Sequence, residues 1–419
     1  MFATPAAVVS SLLRGLLSVA IIVGAIWLIA SWYRSLPQLV SVSETRTSPT
    51  KPIDSKSLSP AQREANKWHR RSPAERIAAW RPGFDRESAM LLGGVALTAL
   101  SIGGRYLNWL LLFGSKSQPV PELEPGIESR IHRPDGSVIH MEVRGPETAP
   151  TVILTHGWSM NSDEWAYLQS TWGDQFRVVT WDLPGLGNST SPANHDFSLE
   201  KMARDLNAVI EASGPWPVIL VGHSIGGMII LTLSKLFPNL LGSRVSHLVL
   251  VHTTYINPLR TMKFSSLYSA LQKPLVEPLL YLQIWLSPIV WAMNWLSFWN
   301  GSIHRSVARS GFGGNESWSQ LDFVARFYPL CSPAVLARGA LGMLKYDARD
   351  VLRTIRIPVL VVGAEQDPVT TVHASLRIEA ETAGTIKVLS RTKHYGLIEC
   401  NPDFARDTAE FCSRLPAGR

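Results

Sequence analysis

The chain has 419 residues, 46% of them apolar, which exceeds one small domain and leaves enough apolar material for a sizeable core. Its formal charge of +7 resembles a nucleic-acid signal, but the first 88 residues hold 12 Lys/Arg against 6 Asp/Glu and the remainder is almost neutral. That distribution excludes a nucleic-acid groove and places a basic segment beside a membrane. The three cysteines, Cys331, Cys400 and Cys412, have no metal-ligand spacing and leave one unpaired, so they read as free thiols.

Gly15–Tyr33 is an uncharged run of 19 residues bounded by Arg14 and Arg34, with Trp32-Tyr33 suited to an interface. A secretory signal would have a shorter apolar core and a small-x-small cleavage site. The run therefore reads as a retained transmembrane anchor within residues 1–34. Residues 35–87 form a basic linker rich in Pro, Ser, Thr, Lys and Arg, read either as a segment with one short amphipathic helix around WHRRSPAERIAAWRP that favours an anionic lipid surface or as a merely solvated disordered linker. Residues 88–114 are a second apolar segment, interrupted by Arg105 and four glycines. It reads either as a second span or as a helix on the membrane surface. Two spans around a basic cytoplasmic loop put the C-terminal domain outside the cytoplasm; one span keeps it inside.

From residue 127 the pattern changes to alternating strands and helices. Ile127–Arg133 and Ser137–Arg144 flank Pro134-Asp135-Gly136, a hairpin signal. The buried strand Thr151–Thr155 runs into His156-Gly157-Trp158, and the strand Arg177–Trp181 runs into DLPGLGNS at residues 182–189. An amphipathic helix follows at Leu199–Ser213. Strands are then expected at Val218–Val221, Val245–Val251, Pro358–Gly363 and Thr385–Leu389, with a closing helix near Asp403–Leu415. This alternation predicts a mostly parallel sheet covered on both faces, in two core parts, residues 127–252 and 347–419.

Between those parts, residues 253–346 break the alternation. The segment is helical in pattern and rich in tryptophan, and Pro278–Gly301 carries no charge. Pro288 and a position inside an α/β domain argue against a further span, so the segment reads as a helical cap whose outer face can dip into lipid.

The chemistry concentrates at Gly222-His223-Ser224-Ile225-Gly226, a G-x-S-x-G sequence between a strand and a helix. A turn this sharp strains the serine and requires glycine at 222 and 226, where a Cβ would meet neighbouring backbone. A serine hydroxyl needs a base within hydrogen-bond reach, and the base needs an acid to fix its tautomer. Asp367 and His394 follow in that order, each just past a predicted strand. Glu365 competes for the acid role. His373, His252 and His247 compete for the base role, but none of them follows the last strand. His156 and His223 read as structural residues lining the site, and Asp182 as the carboxylate that holds the DLPG turn.

Four ordered blocks, HGW, DLPGLGNS, GHSIGG and the late Asp and His, resemble those of the α/β-hydrolase fold superfamily. The branch in question holds esterases, monoacylglycerol-lipase-like enzymes, haloperoxidase-like perhydrolases and epoxide hydrolases. The resemblance covers about two-thirds of the chain. It implies an α/β-hydrolase fold with Ser224 as nucleophile, His394 as general base and acid, and Asp367 as the orienting carboxylate. It also implies an oxyanion hole formed by the backbone N–H groups of Trp158 and Ile225. Members that open epoxides or remove halide carry Asp at the nucleophile position, so serine here favours acyl transfer. The expectation is a membrane-anchored serine hydrolase of lipophilic esters in contact with membrane lipid, with no metal or organic cofactor implied. A perhydrolase, an acyltransferase with the same triad, and a non-catalytic binding protein on the same frame are the alternatives.

Overall fold

The computed structural model describes residues 5–35, 86–113 and 119–414. Most of the expected basic linker, its short helix included, lies outside the described residues. The chain divides into two compact units, Leu17–Gly104 on one hand and Met1–Leu16 with Arg105–Arg419 on the other.

The smaller unit holds most of helix α1 (Pro5–Ser35) and of helix α2 (Arg86–Asn108), which pack antiparallel there on small residues. A Cβ on Gly94 would stand 2.6 Å from Ile29, while Gly93 faces Leu28 and Gly24 faces Leu97. Glycine lets two apolar helices approach this closely. Leu13–Ser35 and Ser88–Leu111 are both long and apolar enough to cross a membrane.

The larger unit is built on one eight-stranded sheet in the order β1-β2-β4-β3-β5-β6-β7-β8. Its strands are β1 Ile127–His132, β2 Val138–Arg144, β3 Thr151–Thr155, β4 Arg177–Trp181, β5 Val218–His223, β6 Val245–Val251, β7 Val359–Ala364 and β8 Thr385–Leu389. β2 pairs antiparallel with both β1 and β4, and every other pairing is parallel. The mostly parallel sheet expected above is thus observed.

Strand period decides what each face buries. Val218 and Leu220 of β5, Leu248 and Leu250 of β6, and Val359 and Val361 of β7 enter one core cluster. Their neighbours Ile219, Val221, Val249, Val251, Leu360 and Val362 enter the other. Helices α3 (Ala166–Trp172), α4 (Leu199–Ala212) and α5 (Ile225–Leu236) cover the first half of the sheet. The cap adds α6 (Ser265–Leu271), α7 (Glu277–Trp285), α8 (Ser287–Trp299), α9 (Ser302–Gly311), α10 (Trp318–Leu330) and α11 (Pro333–Met343). Helices α12 (Val372–Thr382) and α13 (Asn401–Cys412) close the fold, and α13 is tied to α3 by the Trp172 indole N–H donating to Ala405 O at 3.0 Å. The closing helix starts two residues earlier than expected, because Pro402 occupies its first turn, where a missing N–H costs nothing.

Candidate active site

Ser224 is held at φ 53° and ψ −114°, a conformation that L side chains rarely adopt. Two features enforce it: Ser224 N donates to Val251 O of β6, and helix α5 begins at the next residue. Glycine is required on both sides. A Cβ at 222 would lie 2.4 Å from the Gly226 carbonyl carbon, and one at 226 would lie 2.3 Å from Thr155 O. Local strain of this kind persists only where the surroundings over-determine it, as they do here.

Two further loops bring their side chains to the same edge of the sheet. Asp367 stands three residues past β7 and His394 five past β8. His394 Nε2 is 3.0 Å from Ser224 Oγ, and its Nδ1 is 2.7 Å from Asp367 Oδ2. All three residues are buried, Ser224 being 8% exposed. Glu365 is turned away and accepts from Arg391 N instead.

The carboxylate of Asp367 is saturated. Oδ1 accepts from the backbone N–H groups of Val369 and Thr370, and Oδ2 accepts from the Thr370 hydroxyl and faces His394. Burial alone would raise its pKa, but His394, His252 and these donors hold it down at about 2. Burial also lowers the pKa of His394 below the ordinary imidazole value, an effect that Asp367 only partly offsets. The imidazole is therefore neutral at pH 7, with Nδ1–H directed to Asp367 and a free lone pair on Nε2 facing the serine.

Several supporting residues carry no sequence signature. The main-chain oxygen of His394 lies 3.1 Å from His223 Nε2 and 3.0 Å from His252 Nδ1, so two imidazoles clamp the loop that carries it. Burial pushes the pKa of His252 down to about 3, leaving a neutral ring whose Nδ1–H donates. The other ring nitrogen of His223 is 2.6 Å from Glu164 Oε1, and Glu164 Oε2 accepts from Gly157 N at 2.7 Å. Although fully buried, Glu164 is held below its usual pKa by His223 and the Gly157 N–H. One acid–imidazole pair thus ties the loop after β3, the end of β5 and the loop after β8. A Cβ on Gly157 would stand 2.7 Å from His223 Nδ1 and break this link.

The backbone N–H groups of Trp158 and Ile225 meet no acceptor among the described residues. Trp158 is fixed by its indole, which donates to Leu336 O of α11 at 3.1 Å. Asp182 accepts from Ser162 N and Asn188 N, each at 2.8 Å, and so holds the DLPG turn. His156 Nε2 accepts from Leu183 N, His247 packs on Phe411, and His373 lines an outer cleft. That cleft, about 840 Å³, opens behind Asp367 and has Arg260, Lys263, Arg309 and Lys393 on its walls, but neither Ser224 nor Trp158. All three cysteines are free. Among the described residues no three His, Cys, Asp or Glu side chains converge as metal ligands do.

A family model described as alpha/beta hydrolase fold matches residues 150–275, which include Ser224 and stop short of Asp367 and His394. Over 281 residues the chain is 26% identical to a pimeloyl-[acyl-carrier protein] methyl ester esterase of Vibrio atlanticus, covering 66% of this chain and 95% of the relative. It is 28% identical to a bifunctional esterase/perhydrolase of Acinetobacter calcoaceticus, over 61% of this chain and 88% of the relative. Among solved structures, an esterase from Exiguobacterium antarcticum superposes with a TM-score of 0.56 at 21% identity, covering 68% of this chain and all of the other.

Proposed function

We propose, for a chain that belongs to the α/β-hydrolase fold superfamily, that it is a membrane-anchored serine hydrolase cleaving carboxylic esters of lipophilic substrates through an acyl-enzyme on Ser224. The observation that carries this reading is the Ser224–His394–Asp367 relay on a strained serine. The esterase relatives support the reaction class.

In this reading His394 Nε2 takes the proton of Ser224 Oγ as the oxygen bonds to the ester carbonyl carbon. The carbonyl oxygen becomes an oxyanion and is stabilised by the unengaged N–H groups of Trp158 and Ile225. Asp367 keeps Nδ1 protonated and stabilises the imidazolium. On collapse the C–O bond to the alcohol breaks, and His394 gives its proton to the leaving oxygen. Water then enters, loses a proton to Nε2 and attacks the acyl carbon, and collapse releases the acid and restores the serine hydroxyl. A perhydrolase differs only in the acceptor, hydrogen peroxide in place of water, and one relative is named for both activities.

The two apolar helices support the anchoring, and the basic residues between them favour a cytoplasmic loop with the catalytic domain on the opposite side. A tag placed after residue 419 tests this, since protease added to intact cells removes it under two-span topology and protection contradicts that topology. Turnover of a p-nitrophenyl ester series tests the substrate class. Rates should rise from acetyl to longer acyl chains, and a preference for acetyl would remove the lipophilic part of the proposal.

A further inference from the structure

The cap carries a surface that an exposed protein face does not normally present. Between Glu277 and Arg305 the sequence has no charged residue. The segment holds the end of one helical arm, Ser265–Trp285, which closes with α7, and the whole of a second, α8; the two arms meet at an angle of 93° around Leu286. The second arm is too short to cross a bilayer, its thirteen residues spanning roughly 20 Å at 1.5 Å per residue against about 30 Å of hydrocarbon, and the first arm carries Lys273 and Glu277 in its middle. One side of each arm is fixed to protein. Leu280 of α7 and Val290, Met293 and Phe298 of α8 are buried, and Gln283 Nε2 donates to Pro333 O at 3.0 Å. The other side is open, with Tyr281 61%, Trp285 78% and Ile289 58% exposed.

The ends of both candidate spans lie against the same part of the cap. Gly15, near the start of the first, lies against α8, where a Cβ would stand 2.3 Å from Met293 Cε. Near the end of the second, Asn108 Nδ2 donates to Gly301 O at 2.9 Å, and Arg305 Nε donates to Asn108 Oδ1 at 3.0 Å. The Arg105 guanidinium lies over the rings of Phe298 and Trp299, with Asp322 3.9 Å away. Arg105 is the one charge in the second candidate span, and aromatic and acidic side chains of the cap take it up. Helix α8 thus touches Gly15 and Arg105, which lie near the ends of the two candidate spans and in the same compact unit as the cap.

We propose that the α7–α8 corner is a third, non-spanning membrane contact, seated in the interface of the bilayer that α1 and α2 cross. It is laid in the plane, apolar side down, with tryptophan and tyrosine at headgroup depth. The inference rests on the membrane-anchored reading above and adds a route for substrate. Helix α7 packs on α11, whose Leu336 O holds the Trp158 indole, so a single helix layer separates the lipid-facing corner from the proposed oxyanion loop.

The test uses the full-length protein in phosphatidylcholine–phosphatidylglycerol vesicles. Cys331 and Cys412 are buried, so a Cys400→Ser background carrying Trp285→Cys accepts a nitrobenzoxadiazole label at the corner. Leu376→Cys, on exposed α12, is the reference. Lipids bearing a doxyl group at acyl carbon 5 should quench the label at 285 at least threefold more than the label at 376. Equal quenching overturns the proposal, as does shielding at 285 that is lost on dilution to monomers in detergent, which marks a second copy as the occupant. The double variant Trp285→Asp/Ile289→Asp should lose at least tenfold in hydrolysis of an ester embedded in the vesicle, with turnover of a soluble short-chain ester unchanged. Equal turnover of both substrates by variant and wild type overturns the docking and leaves the acyl-enzyme standing. If wild type hydrolyses neither substrate, the esterase reading fails, and the quenching experiment alone decides the docking.

Discussion

The loops around Ser224 and the α7–α8 corner of the cap treat polarity in opposite ways. Behind the serine, charged and polar atoms are buried and matched: Asp367 has four partners, and Glu164 joins Gly157 to His223. At the corner, apolar side chains are exposed with no polar counterpart. A buried network of this kind costs free energy unless complete, and once complete it fixes geometry to fractions of an ångström. An exposed apolar surface fixes no geometry and specifies an environment instead. In the function proposed above, the first region sets what reaction is done, and the second sets where the substrate is found.

If that division holds, changes in the first region cost orders of magnitude on every substrate, and changes in the second matter only at a membrane. The largest effect belongs to Ser224→Ala, which should lower kcat by roughly 10⁶-fold with the fold intact, as removal of a triad nucleophile does. Residual activity within tenfold of wild type would break the comparison at its strongest point. Asp367→Asn keeps the shape but loses the tautomer-fixing charge, and kcat should fall by about 10⁴-fold. Stopped assays on a soluble ester measure both variants.

Glu164→Gln sharpens the comparison, because Glu164 touches no reacting atom and acts by positioning. Losing a hydrogen bond to a charged group costs about 1.5–3 kcal/mol, or roughly ten- to a hundredfold in rate. The loss should fall on kcat, with KM and the acid limb of the pH profile unmoved. Folded protein with wild-type kcat would show that the link between loops is dispensable.

The pH profile itself is a smaller effect with a definite sign. As the proposed base, His394 works in its neutral form, and burial lowers its pKa, so the acid limb of kcat/KM should lie below pH 6.5. Activity is then retained as pH falls through the ordinary imidazole range and is lost only below it. Asp367 raises the His394 pKa, so the residual activity of Asp367→Asn should show its limb at still lower pH. Smallest of all, Trp285→Ala should leave stability within about 0.5 kcal/mol and soluble-ester turnover unchanged, as thermal melts and rates will show.

Much of this was legible in the sequence, for reasons visible in particular residues. Strands β3, β4, β6 and β8 end where read; β3 and β4 are short buried runs that give way to His156-Gly157 and Asp182-Leu183-Pro184-Gly185. Gly222 and Gly226 announced the turn, since no other residue fits there. The hydrogen-bonded set Ser224, Asp367 and His394 was reachable because all three sit just past strands that one sheet must bring together. Glu164 was not reachable. It lies in the one-turn helix Ser162–Trp165, and only tertiary folding sets it beside a histidine 59 residues later. His252 and Thr370 were hidden for the same reason, and His252 was weighed only as a rival base. Helix α3 was missed because AYLQSTW shows no clear period over seven residues. Pro288 signalled a break in the cap, whereas the 93° angle comes from how α7 and α8 pack on α10 and α11.

The most direct test of the central claim is covalent. A fluorophosphonate probe reacts with a serine that a neighbouring base has activated, and peptide mapping locates the adduct. The full-length protein in membranes should carry one adduct, on Ser224, that His394→Ala abolishes. An adduct on another residue, or none on folded protein, would contradict the account.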